Sequence, residues 1–396
     1  MARLNSHDFA PVLKSDNSIQ YDFNDHDKCI IETRPFGAYL LLQSTGYSGS
    51  QKSTVHAFLG SLQKGCTDRA ITVFNNQYPL VVTGTTRIYG DLLTGSIQLT
   101  TGQIDGKGVI YKDYLHGRQI IANDVQSPYK RLSAIDNYIE YVYKILKNKA
   151  YAVSTSLQLT GSDTTLFNEN VLVVQGNLDL KDIEIRRSEH PLTIIVSGWV
   201  EISGTTTIKG EVEIISEKFI RITDNAAIID GLIMAEDSIV LNGDAYISAQ
   251  VISKQEITVA DNAECTFPAL ILVSGDSYES RSDYGIRISS HMPLEANIMY
   301  VSSDTMQQRD NELIIIDSST TLSGCIYSSD FMSLQGQISG SIMTSNFKFT
   351  IPPTTYINWL KDVTIDRLTW DYTPVLPLVE SESSFYDIIP MRFTNE

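Results

Sequence analysis

The chain has 396 residues, a formal net charge of -17 and a pI near 4.7. That length is ample for a sizeable core and for more than one unit. The acidic excess, with no dense Lys/Arg cluster, argues against nucleic acid as a partner and against direct adsorption to anionic lipid, and it suits a soluble, calcium-containing exterior.

The chain opens Met1-Ala2-Arg3-Leu4-Asn5, without a signal peptide, and no apolar run reaches the ~20 residues that span a bilayer. Two readings follow: a cytoplasmic protein, or one whose N-terminal leader or anchor has been cut away. Residues 1–78 show no repeat and read as an irregular, β-containing region. Ala38 to Leu42 and Ala70 to Phe74 are expected strands, and Ser44 to Thr54 an expected loop. Within it, Gly46-Tyr47-Ser48-Gly49-Ser50-Gln51-Lys52-Ser53 almost spells a phosphate loop. Gln51 stands where a Gly must let backbone amides wrap phosphate, and no βαβ context follows, so a flexible loop is expected. Asp25-His26-Asp27 with Cys29 offers metal-ligand types, but neighbours on a strand point to opposite faces, so a solvated loop is the simpler reading. Cys29 and Cys66 are a candidate pair in an oxidising compartment, their connectivity open.

First coils of a repeat are expected at 79–111. Leu80/Val82/Gly84/Thr86/Ile88 has alternating apolar residues, a bend residue and a small residue before the last aliphatic. An insertion at 112–170 interrupts it. There Ser133-Ala134-Ile135-Asp136 is a capping-box variant, and Leu132, Ile135, Ile139, Val142 and Leu146 form the stripe of an amphipathic helix over about 133–149, expected on the flank or over an open end.

The repeat returns over 171–350. Val200/Ile202/Gly204/Thr206/Ile208 is followed by Ile220/Ile222/Asp224/Ala226/Ile228, Ile239/Leu241/Gly243/Ala245/Ile247 and Ile257/Val259/Asp261/Ala263/Cys265, then by Ile314/Ile316/Ser318/Thr320/Leu322 after a longer loop around 275–285. Intervals near 20 residues make these stacked coils, so the expected fold is all-β, a right-handed parallel β-helix with one inserted helix; an antiparallel sandwich is the alternative. Stacking predicts inward aliphatic columns, a corner column Gly204/Asp224/Gly243/Asp261 at positive φ, and a tight inner corner of Thr206, Ala226, Ala245 and Ala263. Cys265 falls in an inward column and reads as a buried thiol; Cys325 is core or partner. From 351 the chain changes character: Pro352-Pro353, then Tyr356, Trp359, Trp370, Tyr372, Phe385 and Tyr386, read as an aromatic tail along the solenoid or an attachment point.

Catalysis on a β-helix needs a convergent outer row of carboxylates. Glu201, Glu211, Glu213, Asp237 and Asp244 read as solvated surface, and the outward column Glu201, Arg221, Val240, Thr258, Ile315 is chemically mixed. Trp199 and Phe219 are expected to stack outside. His7, His56, His116, His190 and His291 sit in no triad pattern. No catalytic, cofactor or metal residues are assigned.

Gly-Thr-Thr-x-Ile-x-Gly at Gly84 to Gly90 and again at Gly204 to Gly210 resembles the polymer-forming bactofilin-type β-helical proteins of bacteria. The wider layout, with Pro79-Leu80-Val81-Val82-Thr83-Gly84, the broken solenoid, Thr355-Tyr356-x-Asn358-x-Leu360 and Ile365-Asp366-Arg367, is similar to an uncharacterised family of bacterial envelope proteins. The resemblance implies an N-terminal membrane anchor, absent from this sequence, a periplasmic or surface location, and other envelope proteins or self-association as partners. It implies no catalytic residues. The expected function is a non-enzymatic structural or interaction module, with a glycan-binding or glycan-processing protein and a self-assembling scaffold as alternatives.

Overall fold

The apolar alternation forms strands, and the strands form a stack. The computed structural model describes residues 18–24, 26–62, 67–74, 78–95, 98–122, 125, 127, 133–148, 152–161, 170–275, 285–302, 312–370, 376–377 and 385–390. The chain divides into two compact units, one of residues 64–130 and 151–374 and one of residues 1–63, 131–150 and 375–396.

The larger unit is a parallel β-helix with three faces. On the first, Val200 pairs with Ile220, Ile220 with Ile239, Ile239 with Ile257, Ile257 with Ile286 and Ile286 with Ile314. These side chains are buried, and each rung adds aliphatic surface to a continuous core. The predicted inward columns and corner both hold. Gly204, Asp224, Gly243 and Asp261 have φ of 68°, 59°, 66° and 57°. Aspartate tolerates this region because its short side chain bonds nearby backbone. The rung of Ile286 and Ile288 is less visible in the sequence because Met292 stands where the other copies place a small residue before the last aliphatic. Strands such as Thr207–Ser216 and Ala227–Ala235 run from the second face into the third, with a register shift at the corner between Lys209 and Glu213.

The order of the rungs differs from the expectation. Residues 79–111 do not precede the coil at 171. The strand Gly336–Ile351 pairs with Val363–Asp366 on the second face and with Ile71–Val73 on the third. The path then continues through Val81–Thr83 against Trp359–Lys361, Arg87–Tyr89 against Val363–Asp366, and Leu92–Thr94 against Ile71–Val73. Leu115–His116 and Gln119–Ile121 form the last rung. At the opposite end Ala152–Ser154 and Leu157–Thr160 form the first. The helical path therefore runs from 152 to 366 and resumes at 71, with one break in covalent continuity. At about 4.8 Å per rung the stack is on the order of 60 Å long. The boundaries move accordingly: rungs begin at Ile71, parts of 112–170 are rungs, and the solenoid reaches Asp366. Pro352 and Pro353 form the turn of a hairpin between Gly336–Ile351 and Thr354–Ile357.

The described residues of the smaller unit form a regular sheet and one helix. β1 (Ser18–Asp22), β2 (Asp27–Phe36), β3 (Tyr39–Ser48) and β4 (Gln51–Leu62) form an antiparallel meander that Phe385–Pro390 extends alongside β4. Phe36 and Phe58 stack at 5.4 Å in its core. Helix α1 (Ser133–Asn148) packs on β2 and buries Ile135, Tyr138 and Val142, so it belongs to this unit rather than to the solenoid. Leu132 lies outside the described residues, as does the side chain of Leu146.

Candidate interaction surface

Each solenoid face turns alternate side chains outward, and the first face presents a mixed column. Asp179, Glu201, Arg221, Val240 and Thr258 succeed one another in register, followed by Arg287 and Ile315. Within this column only Asp179 and Glu201 place carboxylates on neighbouring rungs. Trp199 and Phe219 stack as expected, with centroids 6.1 Å apart and planes 11° from parallel. Each ring spends a face on the other, so they form a ladder rather than a platform for a flat ligand. The tail aromatics make a tilted cluster, with Tyr356 and Trp359 at 5.0 Å and 53°, and Phe349 carrying the Lys361 ammonium at 5.3 Å.

The third face is different because most of its outward side chains are buried too, Ile215 being half-buried. Its outward ladder runs Ile195, Ile215, Met234, Ile252, Leu272, Met299, Tyr327 and Met343. Ile252 is 1% exposed, and Leu272, Met299 and Tyr327 are fully buried. Tyr327 shares a hydrogen bond with Ser127. The signal was present in continuous apolar runs such as Leu270-Ile271-Leu272-Val273, which mark two-sided burial rather than alternation.

This corrects the reading of two carboxylates. Glu211 is 3% exposed and Glu213 is fully buried, where solvated positions were expected. Both follow the corner leading into the third face, and Glu213 accepts a hydrogen bond from Thr193 Oγ1 at 3.2 Å. Asp230, at the same corner one rung on, has φ 59° and is 4% exposed. Burial pushes its carboxyl up to about 6, opposed by the charge of Lys209. Asp237 and Asp244 are exposed as predicted and accept hydrogen bonds from Gln255 and Asn262.

The remaining candidates do not converge. Gly46 to Ser53 is strand, turn and strand, with Ser48 opposite Gln51 and Gly49 at φ 59°, so neither a phosphate loop nor a flexible loop exists there. Asp27 closes the β1–β2 turn, and the Asn24 amide holds its carboxyl below the ordinary range. Asp25 lies outside the described residues, as do Cys66 and His7. Cys29 Sγ lies 3.3 Å from Ser44 Oγ. Cys265 is a buried core thiol, as predicted, pushed up to about 12 by burial. Cys325 is buried on the outward side of the third face, where its N–H donates to Asn297. His116 stacks on Tyr89 at 4.5 Å, while His26 and His291 are exposed. Among the described residues no group of three His, Cys, Asp or Glu is placed to hold a metal, and no helix is long and apolar enough to cross a membrane.

The late motif Asn358 to Arg367 has a definite role at the break in the path. Asn358, fully buried at φ 58°, accepts from Phe347 N at 2.8 Å and donates to Tyr78 O at 3.1 Å. Asp362 Oδ1 accepts from Thr85 N at 2.8 Å. Burial alone would raise Asp362, but Lys361 and the Thr85 donors outweigh it and hold the carboxyl below its ordinary range. Arg367 Nε donates to Thr67 O at 2.8 Å. Each residue joins the end of the solenoid to its sequence-distant continuation. Compared with protein-family models, with curated proteins and with solved structures, the chain matches none.

Proposed function

We propose that the chain is a non-enzymatic structural or protein-interaction module of the bacterial cell envelope, built on a rigid solenoid. The observation that carries this reading is the outward column of the first face, which changes chemical type from rung to rung while the inward columns stay aliphatic. Glycan cleavage needs two carboxylates at a fixed separation across one bond. Here Glu201 meets Arg221 on the next rung, and Trp199 and Phe219 stack on one another. The envelope location rests on the resemblance of the coil motifs and the late Asn358 to Arg367 motif. The test is fractionation of cells producing the native protein, with the purified chain assayed against envelope polysaccharides. Envelope enrichment without glycan turnover is expected; turnover that falls in Glu201→Gln, or a purely cytosolic distribution, overturns the reading.

A self-assembling scaffold is the second reading. It is favoured by the last rung, whose strands Leu115–His116 and Gln119–Ile121 pair on one side only among the described residues. Ile110 and Ile121 beside it are 65% and 50% exposed. Such an edge templates further strands. Light scattering that grows with concentration is expected, and a monomer at high concentration counts against it.

A further inference from the structure

We propose that the break in the helical path is an exchange joint, at which residues 67–121 of one copy take their place on the 336–367 rung of a second copy. Elsewhere a second-face strand runs directly into its third-face strand, as in Thr207–Ser216 and Gly336–Ile351. At the joint the second face is Val363–Asp366 and the third is Ile71–Val73. The residues that meet there, Arg367 and Thr67, are 300 apart in sequence.

The surface at the joint is self-complementary because it is an ordinary rung interface. Ile342 pairs with Ile71, Ile365 with Ile88 and Leu360 with Val82, all at or near zero exposure. Asn358, Asp362 and Arg367 add polar bonds to Tyr78, Thr85 and Thr67. Every copy carries the same two halves, so a joint closed within one chain and a joint closed between two chains make identical contacts. Residues 67–121 are also tethered in a way that permits this. The segments on either side, up to 63 and from 131, belong to the other compact unit, so the chain ties these rungs to the rest of the stack only by way of that unit. Once released they leave apolar side chains and an unpaired strand edge on both halves, and each half is the matched surface for the other. Which copy supplies it is decided by protein concentration against the effective concentration of the chain's own segment. This inference concerns the chain path and stands whatever the solenoid binds.

The test mixes tagged and untagged full-length protein, incubates the mixture and captures the tag. Untagged chain should be captured in an amount rising with time and concentration. In Arg87→Cys/Thr364→Cys, placed in a Cys29→Ser background, oxidation ties two directly paired positions within one chain. Capture should fall at least tenfold on oxidation and return on reduction. No capture of wild-type chain overturns the proposal. Capture that persists after oxidation also overturns it and assigns association to end-to-end stacking instead. Should the double variant not fold, native-state hydrogen exchange of the wild type decides. Amides at Ile71, Ile88 and Leu92 must open more readily than those at Ile214 and Ile233; exchange of both sets only through global unfolding sinks the joint.

Discussion

The same corner is built twice in this molecule, once between neighbours in sequence and once between strangers. In the main stack Asp182 Oδ1 accepts from Thr205 N at 2.9 Å, and Thr206 Oγ1 donates to Ser203 O at 2.7 Å and Leu180 O at 3.2 Å. At the joint Asp362 Oδ1 accepts from Thr85 N at 2.8 Å, and Thr86 Oγ1 donates to Thr83 O at 2.8 Å and Leu360 O at 3.1 Å. The geometry is alike although the partners are 23 residues apart in one case and 277 in the other. A rung interface is thus indifferent to how its strands are connected. Connectivity enters through entropy: closing the longer loop costs about 2 kcal/mol more by the logarithmic rule. The joint should therefore be the weaker of two chemically equivalent places.

The strongest challenge to that contrast is a matched pair of core deletions. Ile239→Ala in the main stack and Ile365→Ala at the joint each remove a fully buried side chain and should each cost about 2–5 kcal/mol. Hydrogen exchange should separate them. Ile365→Ala should release Ile71, Ile88 and Leu92 while Ile214 keeps its protection, whereas Ile239→Ala should weaken the rungs around it. Uniform loss in both variants would erase the distinction between the regions.

A second effect is confined to the main stack. Asp230 is raised to about 6 by burial, so the folded state prefers the protonated acid. Below the ordinary value near 3.8 both states are protonated and no penalty exists. Between there and about 6 the unfolded chain ionises first, and stability falls by roughly 3 kcal/mol in total before levelling off. Asp230→Asn keeps a residue that tolerates φ 59° and should flatten this fall. Denaturant titrations from pH 4 to 7 would detect it, and an unchanged slope in the variant would show that Asp230 is not the source.

These expectations depend on features that were unequally visible in the chain. Inward columns and corners were legible because a period near 20 residues repeats both polarity and residue size, as in Val200, Ile220 and Ile239. The burial of Glu213 was not, since an alternating pattern assigns it outward and its burial depends on what lies over the third face. The rung order was hidden for a deeper reason. Leu80 to Ile88 carries the same motif as Val200 to Ile208, and a motif states that a rung exists without stating which rung it meets. Asn358 and Arg367 held that information, but one buried asparagine and one arginine have no periodicity to reveal them. The antiparallel meander was missed because Ser, Thr and Gly in Ser44 to Thr54 read as loop, while cross-strand pairing, with Thr45 Oγ1 3.2 Å from Thr54 Oγ1, makes them strand.

The smallest effect is the most discriminating. Thr206→Val and Thr86→Val each remove one buried hydroxyl that donates to two carbonyls, at nearly constant volume. Each should cost about 1–2 kcal/mol. If both regions stay closed up to global unfolding, the two costs are equal within experimental error in a denaturant titration. If the joint opens first, the hydroxyl of Thr86 is already lost in part of the folded ensemble. Its removal then registers less in global unfolding and more in the exchange of Ile88 and Leu92. Equal global costs with unchanged exchange at those amides would mean that about 2 kcal/mol of loop entropy has been recovered elsewhere, and that the covalent break leaves the solenoid as cooperative as an unbroken one.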